Sequence, residues 1–346
     1  MSKADILKEM KKFYKKEDSK KNNLKFPQKM DVELNTDDRV CKITLNAEYV
    51  KKENMQKNGN AFEGWSIAIY TSLKEQFNDI RIRLCLDDYS GVDSNKINGH
   101  LARFLYRAGR FCEQYAWFGL SDELCKVLEE KAQVFQKHEY TNNVPEGDAG
   151  IKNTHNNENV IETKLEEGTN LKELIGSKLD FGSNPVHRQL PVGLFRKHVK
   201  KENNVFTGGR AAIDLWSWNH DTFHVVELKT LNPMIGIITE IFFYANYMRD
   251  LLVEETTFTL NRKTNKNDRG YSDILGNLGE FKKVNGIMLA DKYHPMLENK
   301  ADEILEVMNN NSDARIQYYK IDYDYKLCVF PKGAEPAKLY KEGIRC

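Results

Sequence analysis

The sequence predicts a mixed α/β fold, in which a C-terminal core with the element order αβββαβ follows a separate N-terminal α+β module. Three observations lead to this prediction. Over residues 161–324, helical and strand-like patterns follow one another as helix, strand, strand, strand, helix, strand. The second and third of these strands carry charged residues between apolar flanks. An asparagine-rich stretch separates this half of the chain from residues 1–140, which have strand and helix patterns of their own.

The composition is typical of a globular protein and does not identify a binding partner. Its 346 residues suffice for one large or two modest domains, and 40% of them are hydrophobic. The formal net charge of +1, from 52 basic and 51 acidic residues, does not by itself indicate a nucleic-acid partner. Six cysteines are scattered without a CxxC pair, which excludes a zinc knuckle and a thioredoxin-type motif.

The sequence contains no pattern that predicts insertion in a membrane. The first residues lack the apolar segment of a signal peptide. The most apolar helical stretch, residues 236–248, is interrupted by Glu240 and is shorter than the roughly 20 apolar residues of a membrane span. We therefore expect a cytoplasmic protein with reduced thiols and no membrane partner.

Residues 1–140 predict an α+β module without a catalytic motif. Strand patterns occupy 39–49 and 80–86, and helical patterns occupy 61–77, 97–115 and 121–137. The first 29 residues contain ten lysines against four acidic residues, which is typical either of a solvated helix or of an arm that touches phosphates. We expect this module to serve in recognition or oligomerisation.

Residues 141–160 predict a linker. They include six asparagines, two glycines and one proline but no aromatic residue, a composition typical of surface loops. We place the domain boundary here, so that the second domain comprises residues 161–346.

The elements of the second domain follow in a clear order. Helical patterns cover 161–175, 234–254 and 295–309, and strand patterns cover 188–195, 211–216, 224–229, 284–290 and 315–330. Pro191 indicates an edge or bulged position in the first strand. The pair Asn232-Pro233 predicts an N-cap and a first helical residue for the middle helix.

Three charges in the second and third strands require a common explanation. Asp214 lies in the run AAIDLW, and Glu227 and Lys229 lie in HVVELK. An unpaired charge in a buried strand costs several kcal/mol. Because side chains alternate along a strand, Glu227 and Lys229 share one face, and antiparallel pairing of the two runs allows Asp214 to join them. The alternative is an ordinary cross-strand ion pair on a solvated face.

These residues suit the hydrolysis of a phosphodiester bond. The two carboxylates of Asp214 and Glu227, together with the backbone carbonyl of Leu228, form an oxygen site suited to Mg²⁺, with Mn²⁺ as a substitute. Lys229 would assist the attacking water and offset the charge that develops on the phosphate. We therefore predict Asp214, Glu227 and Lys229 as catalytic residues.

The element order and the motif together resemble the PD-(D/E)XK nuclease superfamily. The matching residues are Asp214 and, after twelve intervening residues, Glu227-Leu228-Lys229. Ile213 replaces the proline that usually precedes the first acid. The resemblance covers residues 161–324 and implies a restriction-endonuclease-like core and Mg²⁺-dependent cleavage of DNA, by an endonuclease rather than an exonuclease. It leaves residues 1–140 unexplained.

The resemblance also implies an acidic residue on the first helix of the core. Glu173 matches that residue in position, and we predict it as a fourth catalytic residue. Three other glutamates of the same region compete for this role: Glu162, Glu166 and Glu167.

Other candidates lie around the motif. Glu240 and Tyr244 share a helix face and resemble the Gln-x-x-x-Tyr element of exonuclease-like relatives, with Glu in place of Gln. Gln189 stands in the first strand, where relatives often carry polar residues. His220 and His224 lack a third ligand in register, so we expect surface or partly buried histidines rather than a metal site.

Two basic loops are placed to hold a nucleic-acid backbone, and the resemblance implies DNA as the partner, with RNA less expected. One contains Arg196, Lys197, Lys200 and Lys201, and the other contains Arg262, Lys263, Lys266 and Arg269. Their side chains either track a phosphate backbone or form solvated faces. The predicted function is a metal-dependent nuclease, which a homodimer would suit for cutting both strands. The alternative is a catalytically silent nucleic-acid-binding or complex-assembly protein with the nuclease fold.

Overall fold

The structure, a computed structural model, is mixed α/β, as predicted, with two mixed β-sheets and ten α-helices among the residues described. The described residues are 1–15, 24–90, 99–136, 139–145, 157–167, 181–253, 258–265 and 268–324. None of the helices in these ranges is long and apolar enough to cross a membrane.

The N-terminal unit is built on a four-stranded sheet. Its strands are β1 (Met30–Asn35), β2 (Val40–Leu45), β3 (Arg81–Leu86) and β4 (Phe118–Leu120). Strands β1 and β2 are antiparallel, whereas β2, β3 and β4 are parallel. The helices of this unit are α1 (Lys3–Phe13), α2 (Ala47–Lys52), α3 (Phe62–Leu73), α4 (Gly99–Gln114) and α5 (Asp122–Gln136). Each strand and helix pattern of the sequence contains an element of this half, but the strand expected over 39–49 ends at Leu45, because α2 begins at Ala47. Strands β1 and β4 and helix α2 were not predicted.

The second sheet has six strands in the order β10-β9-β8-β7-β6-β5. They are β5 (Tyr140–Asn142), β6 (His187–Arg196), β7 (Asn204–Asn219), β8 (Thr222–Lys229), β9 (Lys283–Ala290) and β10 (Ile316–Asp322). Strands β5 to β8 pair antiparallel with their neighbours, and β8, β9 and β10 are parallel. The apolar runs that carry the three charges are therefore adjacent antiparallel strands inside the sheet.

The helices of the C-terminal half are α6 (Asn157–Glu167), α7 (Gly236–Leu252), α8 (Tyr271–Gly276), α9 (Pro295–Asn299) and α10 (Ala301–Asn309). The chain therefore runs from α6 through three antiparallel strands to α7 and, after the short α8, to β9. The helix expected over 295–309 is divided into two helices at Lys300, whose ψ of 48° interrupts the helical backbone.

The start of α7 differs from the prediction. Its N-cap is Ile235, without a side-chain cap, so the assignment of Asn232 and Pro233 to the N-cap and first turn was wrong. A Cβ atom at Gly236 would lie 2.1 Å from the backbone oxygen of Gln56 in the N-terminal unit. The close approach of these two backbones requires glycine at the first helical position, and packing rather than a capping side chain sets the start of the helix.

Helix α7 joins the two units. All of its residues are buried, as expected of a helix covered on every side. Phe62 of α3 and Phe111 of α4 belong to the same hydrophobic cluster as Phe242 of α7. Arg107 of α4 donates two hydrogen bonds of 2.7 Å to Glu63 of α3, whose carboxylate also accepts from Thr239 of α7 at 2.9 Å. The two units thus share a buried core.

The predicted linker is partly ordered structure. Strand β5 begins at Tyr140 and extends into this segment as the edge of the second sheet, where it pairs with the end of β6. Helix α6 begins at Asn157, four residues before its expected start. Residues 146–156 lie outside the described part of the chain. Pro191 stands in β6 beside a register shift at Val192, in agreement with a bulged position.

Candidate active site

The site lies where β7 and β8 separate. The last paired residues of these strands are Leu215 and Val226. One residue further, the Asp214 carboxylate accepts a 2.9 Å hydrogen bond from the backbone N–H of Leu228 and so replaces the missing strand partner. The N–H and C=O of one strand residue point to the same side, which directs the Leu228 carbonyl towards the same gap. Two of the predicted oxygen donors therefore meet here.

Lys229 lies among carboxylates from three elements. Its Nζ is 2.5 Å from Glu227 Oε1 on β8, 3.0 Å from Glu240 Oε2 on α7 and 3.9 Å from Glu158 Oε1 on α6. Glu227 is 2% exposed and Lys229 is 6% exposed. The alternative of an ion pair on a solvated face therefore does not describe these strands, because both charges are buried.

Helix α6 adds two glutamates to the site. Glu158 and Glu162 are four residues apart and lie on one face of the helix. Glu162 accepts a 2.6 Å hydrogen bond from Gln189 Nε2 of β6, and Glu166 forms a 2.5 Å ion pair with Arg188. Gln189 has a φ of 57°, a left-handed conformation that is costly for a residue with a side chain. The backbone of β6 is thus strained at the residue that contacts Glu162.

Burial and mutual repulsion raise the pKa values of the carboxyl groups. Burial, with Asp214 as the largest charged contributor, raises the pKa of Glu162 to about 8. Burial also raises the pKa of Glu158 to about 7, against the attraction of Lys229. The pKa of Asp214 rises to about 6 through burial, although Lys229 and the Leu228 N–H act in the opposite direction. These groups hold protons at a pH at which ordinary carboxyl groups have lost them.

Burial and neighbouring charges also shift the pKa values of the site residues on β8 and α7. Burial, Asp214 and Glu240 raise the pKa of Glu227 well above its usual value. Burial opposes the charged form of Lys229, but Glu227, Glu240 and Asp214 hold its pKa well above that of a free lysine. The pKa of Tyr244 is also raised strongly, by burial and then by the charge of Glu227. Lys229 is therefore a stable ammonium group within an excess of acidic groups.

The structure brings four of the predicted residues together, namely Asp214, Glu227, Leu228 and Lys229. Glu173 lies outside the described residues. Of the glutamates that compete with it, Glu162 lies at the site. Sequence reasoning missed Glu158, although its spacing of four residues from Glu162 was a usable signal.

The two histidines near the hairpin differ in exposure. His220 lies in the turn after β7 with a φ of 49° and is exposed, as expected. His224 is 0% exposed, so the expectation of a surface or partly buried histidine was wrong for this residue. It packs against the Phe181 ring, and its Nδ1 lies 3.3 Å from Asn285 Nδ2. The strand pattern places it in the sheet interior, which explains the burial.

The donor set at the site fits a divalent cation. Among the described residues, no three His, Cys, Asp or Glu side chains are already grouped as a metal site. The expected set needs only two carboxylates and a backbone carbonyl, with water completing the shell. Glu227 Oε2 is buried and has no hydrogen-bond partner in the described structure, which is costly without a cation or a proton. Asp214, Glu227 and the Leu228 carbonyl are the groups that would hold the ion.

The basic loops lie at the same end of the sheet as the site. Strands β6 and β7 continue beyond the level of Lys229, and the turn between them carries exposed lysines at 197, 200 and 201. In the second loop, Arg262 and Lys263 are exposed. Arg269 donates a 2.8 Å hydrogen bond to the backbone oxygen of Gln189, the residue that holds Glu162. This loop therefore contacts the strand that positions a site carboxylate.

Comparison of the chain with protein-family models, with curated proteins and with solved structures finds no match in any of the three.

Proposed function

We propose that the chain is a metal-dependent nuclease that hydrolyses phosphodiester bonds of DNA, with a restriction-endonuclease-like core. The observation that carries this proposal is the meeting of Asp214, Glu227 and Lys229 at the point where two buried strands separate. Structural ion pairs are usually balanced, whereas here four carboxyl groups surround one ammonium group, and a fifth, Glu162, interacts with Asp214. An excess of buried acid with an unsatisfied carboxylate oxygen suits the binding of a cation.

Each residue has a role in this proposal. Asp214, Glu227 and the Leu228 carbonyl hold Mg²⁺, which when bound supplies Lewis-acid polarisation of a phosphate oxygen. Lys229 stays protonated, orients the attacking water and offsets the negative charge that grows on the phosphate. Burial raises the pKa values of Glu158 and Glu162 to about 7 and about 8, so the ionised carboxylate of either residue is a stronger base than an ordinary glutamate and would accept the proton that the attacking water loses. The basic loops bind the phosphate backbone on either side.

The alternative is a catalytically silent nucleic-acid-binding protein that keeps the same architecture. One observation favours it: the Lys229 ammonium lies between Glu227 and Glu240 and so provides an internal counter-charge. A site that is balanced by its own lysine has less need of a metal ion. A catalytically silent protein of this kind would bind DNA with strong salt dependence but would not cut it.

Titration of Mg²⁺ and Mn²⁺ against linear, circular and single-stranded DNA separates the two candidates. The proposed nuclease cuts at least one of these forms, and chelation of the metal stops the reaction. Asp214→Asn and Glu227→Gln should each remove the cleavage and leave DNA binding in EDTA unchanged. Binding without cleavage of any form at any metal concentration would favour the silent protein.

A further inference from the structure

The N-terminal unit reaches the candidate site through Gln56, in the segment that follows α2. Gln56, with its amide oriented to satisfy both groups, donates to the two oxygens of Glu240 at 3.1 and 3.2 Å. Arg107 of α4 binds Glu63, which accepts from Thr239, the neighbour of Glu240 on α7. The middle of α4 is therefore linked to the first turn of α7 through Glu63 of α3. A residue of the N-terminal unit thus already contacts a carboxylate that binds Lys229.

Three arginines on α4 differ in how their charge is balanced. Arg107 forms an ion pair with Glu63, and Arg110 forms an ion pair of 2.9 Å with Asp250. Arg103, one turn before Arg107, is 7% exposed but forms no ion pair with any described carboxylate. Its Nη2 lies 3.0 Å from His100 Nδ1, and its buried Nε has no hydrogen-bond partner in the described structure.

A buried guanidinium group without an acid is expensive, because desolvation is not offset by a partner. The pKa of Arg103 reflects this cost. Burial and then the charge of Arg107 lower the pKa of Arg103 to about 10, while Tyr244 and Glu240 act in the opposite direction. Arg103 is therefore electrostatically coupled to the two α7 residues that adjoin Lys229. His100 is only partly buried, so this guanidinium lies one side chain below the surface.

We propose that Arg103 is an anion-binding residue that holds a backbone phosphate of the substrate strand beside the candidate active site. A guanidinium group presents planar donors that match phosphate oxygens, and it binds them best where water is excluded. The N-terminal unit then contributes directly to substrate binding. This inference rests on the proposed function, since it assigns the anion as a phosphodiester of the DNA strand.

The test measures binding of a fluorescein-labelled oligodeoxynucleotide in EDTA, so that no cleavage accompanies binding. The variants are Arg103→Gln, Arg103→Lys and the matched control Arg83→Gln, which removes one charge from an exposed position on β3. Each variant is measured at a temperature at which circular dichroism shows it folded. Arg103→Gln should weaken binding about tenfold to a hundredfold, the usual effect of losing a charge-assisted hydrogen bond. Arg103→Lys should bind with intermediate affinity, and the control should stay within about twofold of the wild type.

Two further readouts separate substrate binding from a structural role. The salt dependence of binding should become shallower in Arg103→Gln by about one phosphate contact. The Tm of Arg103→Gln should equal or exceed that of the wild type, because a buried unpaired charge has been removed. Wild-type affinity in folded Arg103→Gln, or an equal loss in the Arg83→Gln control, would overturn the proposal.

The outcomes also separate this inference from the proposed function. Arg103-dependent binding by a wild-type protein that cuts no DNA with any metal would refute the nuclease and leave the phosphate anchor in place. Metal-dependent cleavage by the wild type, with Arg103→Gln binding DNA as tightly, would refute only the anchor.

Discussion

Replacement of Asp214 by asparagine should stabilise the metal-free protein at alkaline pH. The folded-state pKa of this carboxyl is about 6, against a usual value of 3.8. A difference of roughly two units corresponds to about 3 kcal/mol of free energy. Asparagine has a similar shape, and its oxygen can still accept the hydrogen bond from the Leu228 N–H. The substitution therefore removes the buried charge without removing the contact.

The sign of the pH dependence follows from the raised pKa. Between about pH 4 and pH 6 the folded protein retains a proton that the unfolded chain has lost, so the free energy of unfolding falls as pH rises. Above that range the whole penalty is present. Asp214→Asn should exceed the wild type by about 3 kcal/mol at pH 8 and by about half of that at pH 5.

Urea denaturation followed by circular dichroism in EDTA measures this difference. Asp37→Asn, in the exposed turn of the N-terminal sheet, is the matched control and should change stability little. Excess Mg²⁺ at pH 8 should stabilise the wild type and not Asp214→Asn. A variant that is no more stable than the wild type at pH 8, or whose effect does not depend on pH, would refute this electrostatic description of the site.

Three other substitutions test single contacts. Lys229→Met should reduce cleavage at least about 100-fold, as expected for a positioned catalytic group, while circular dichroism and DNA binding in EDTA stay unchanged. Gly236→Ala should lower the free energy of unfolding by about 1–3 kcal/mol, because its Cβ would meet the Gln56 carbonyl; Gly276→Ala, with nothing near its Cβ, is the control. Glu63→Gln should cost about 3–5 kcal/mol in urea denaturation by leaving the Arg107 charge buried without its acid, and an unchanged midpoint would contradict this.

Local sequence patterns were sufficient to find strands β6 to β10 of the second sheet and the central charges. Asp214, Glu227 and Lys229 stand out because strand periodicity and apolar flanks make a buried charge visible in the sequence itself. The antiparallel pairing of two neighbouring strands is sufficient to bring all three into one site. Predictions of this kind depend on contacts between residues that are close in sequence.

The remaining features depend on packing between distant segments. Glu158 joins the site because α6 lies against the strands, and only its spacing of four residues from Glu162 points to it in the sequence. Arg103 lies near α7 because α4 packs beside that helix, and no motif marks this residue. The Asn232-Pro233 pair was misleading for a related reason. The start of α7 is set by the approach of Gly236 to the backbone of Gln56, a contact that spans much of the chain.

The most direct test of the central claim is the number of divalent cations that the protein binds. Titration with Mn²⁺ at pH 8, followed by electron paramagnetic resonance without DNA, counts bound ions independently of the choice of substrate. We expect a site in the wild type that is lost in both Asp214→Asn and Glu227→Gln and kept in the control Glu166→Gln, whose carboxylate pairs with Arg188. Equal Mn²⁺ binding by the wild type and Asp214→Asn, or no binding by the wild type, would contradict the metal-dependent site.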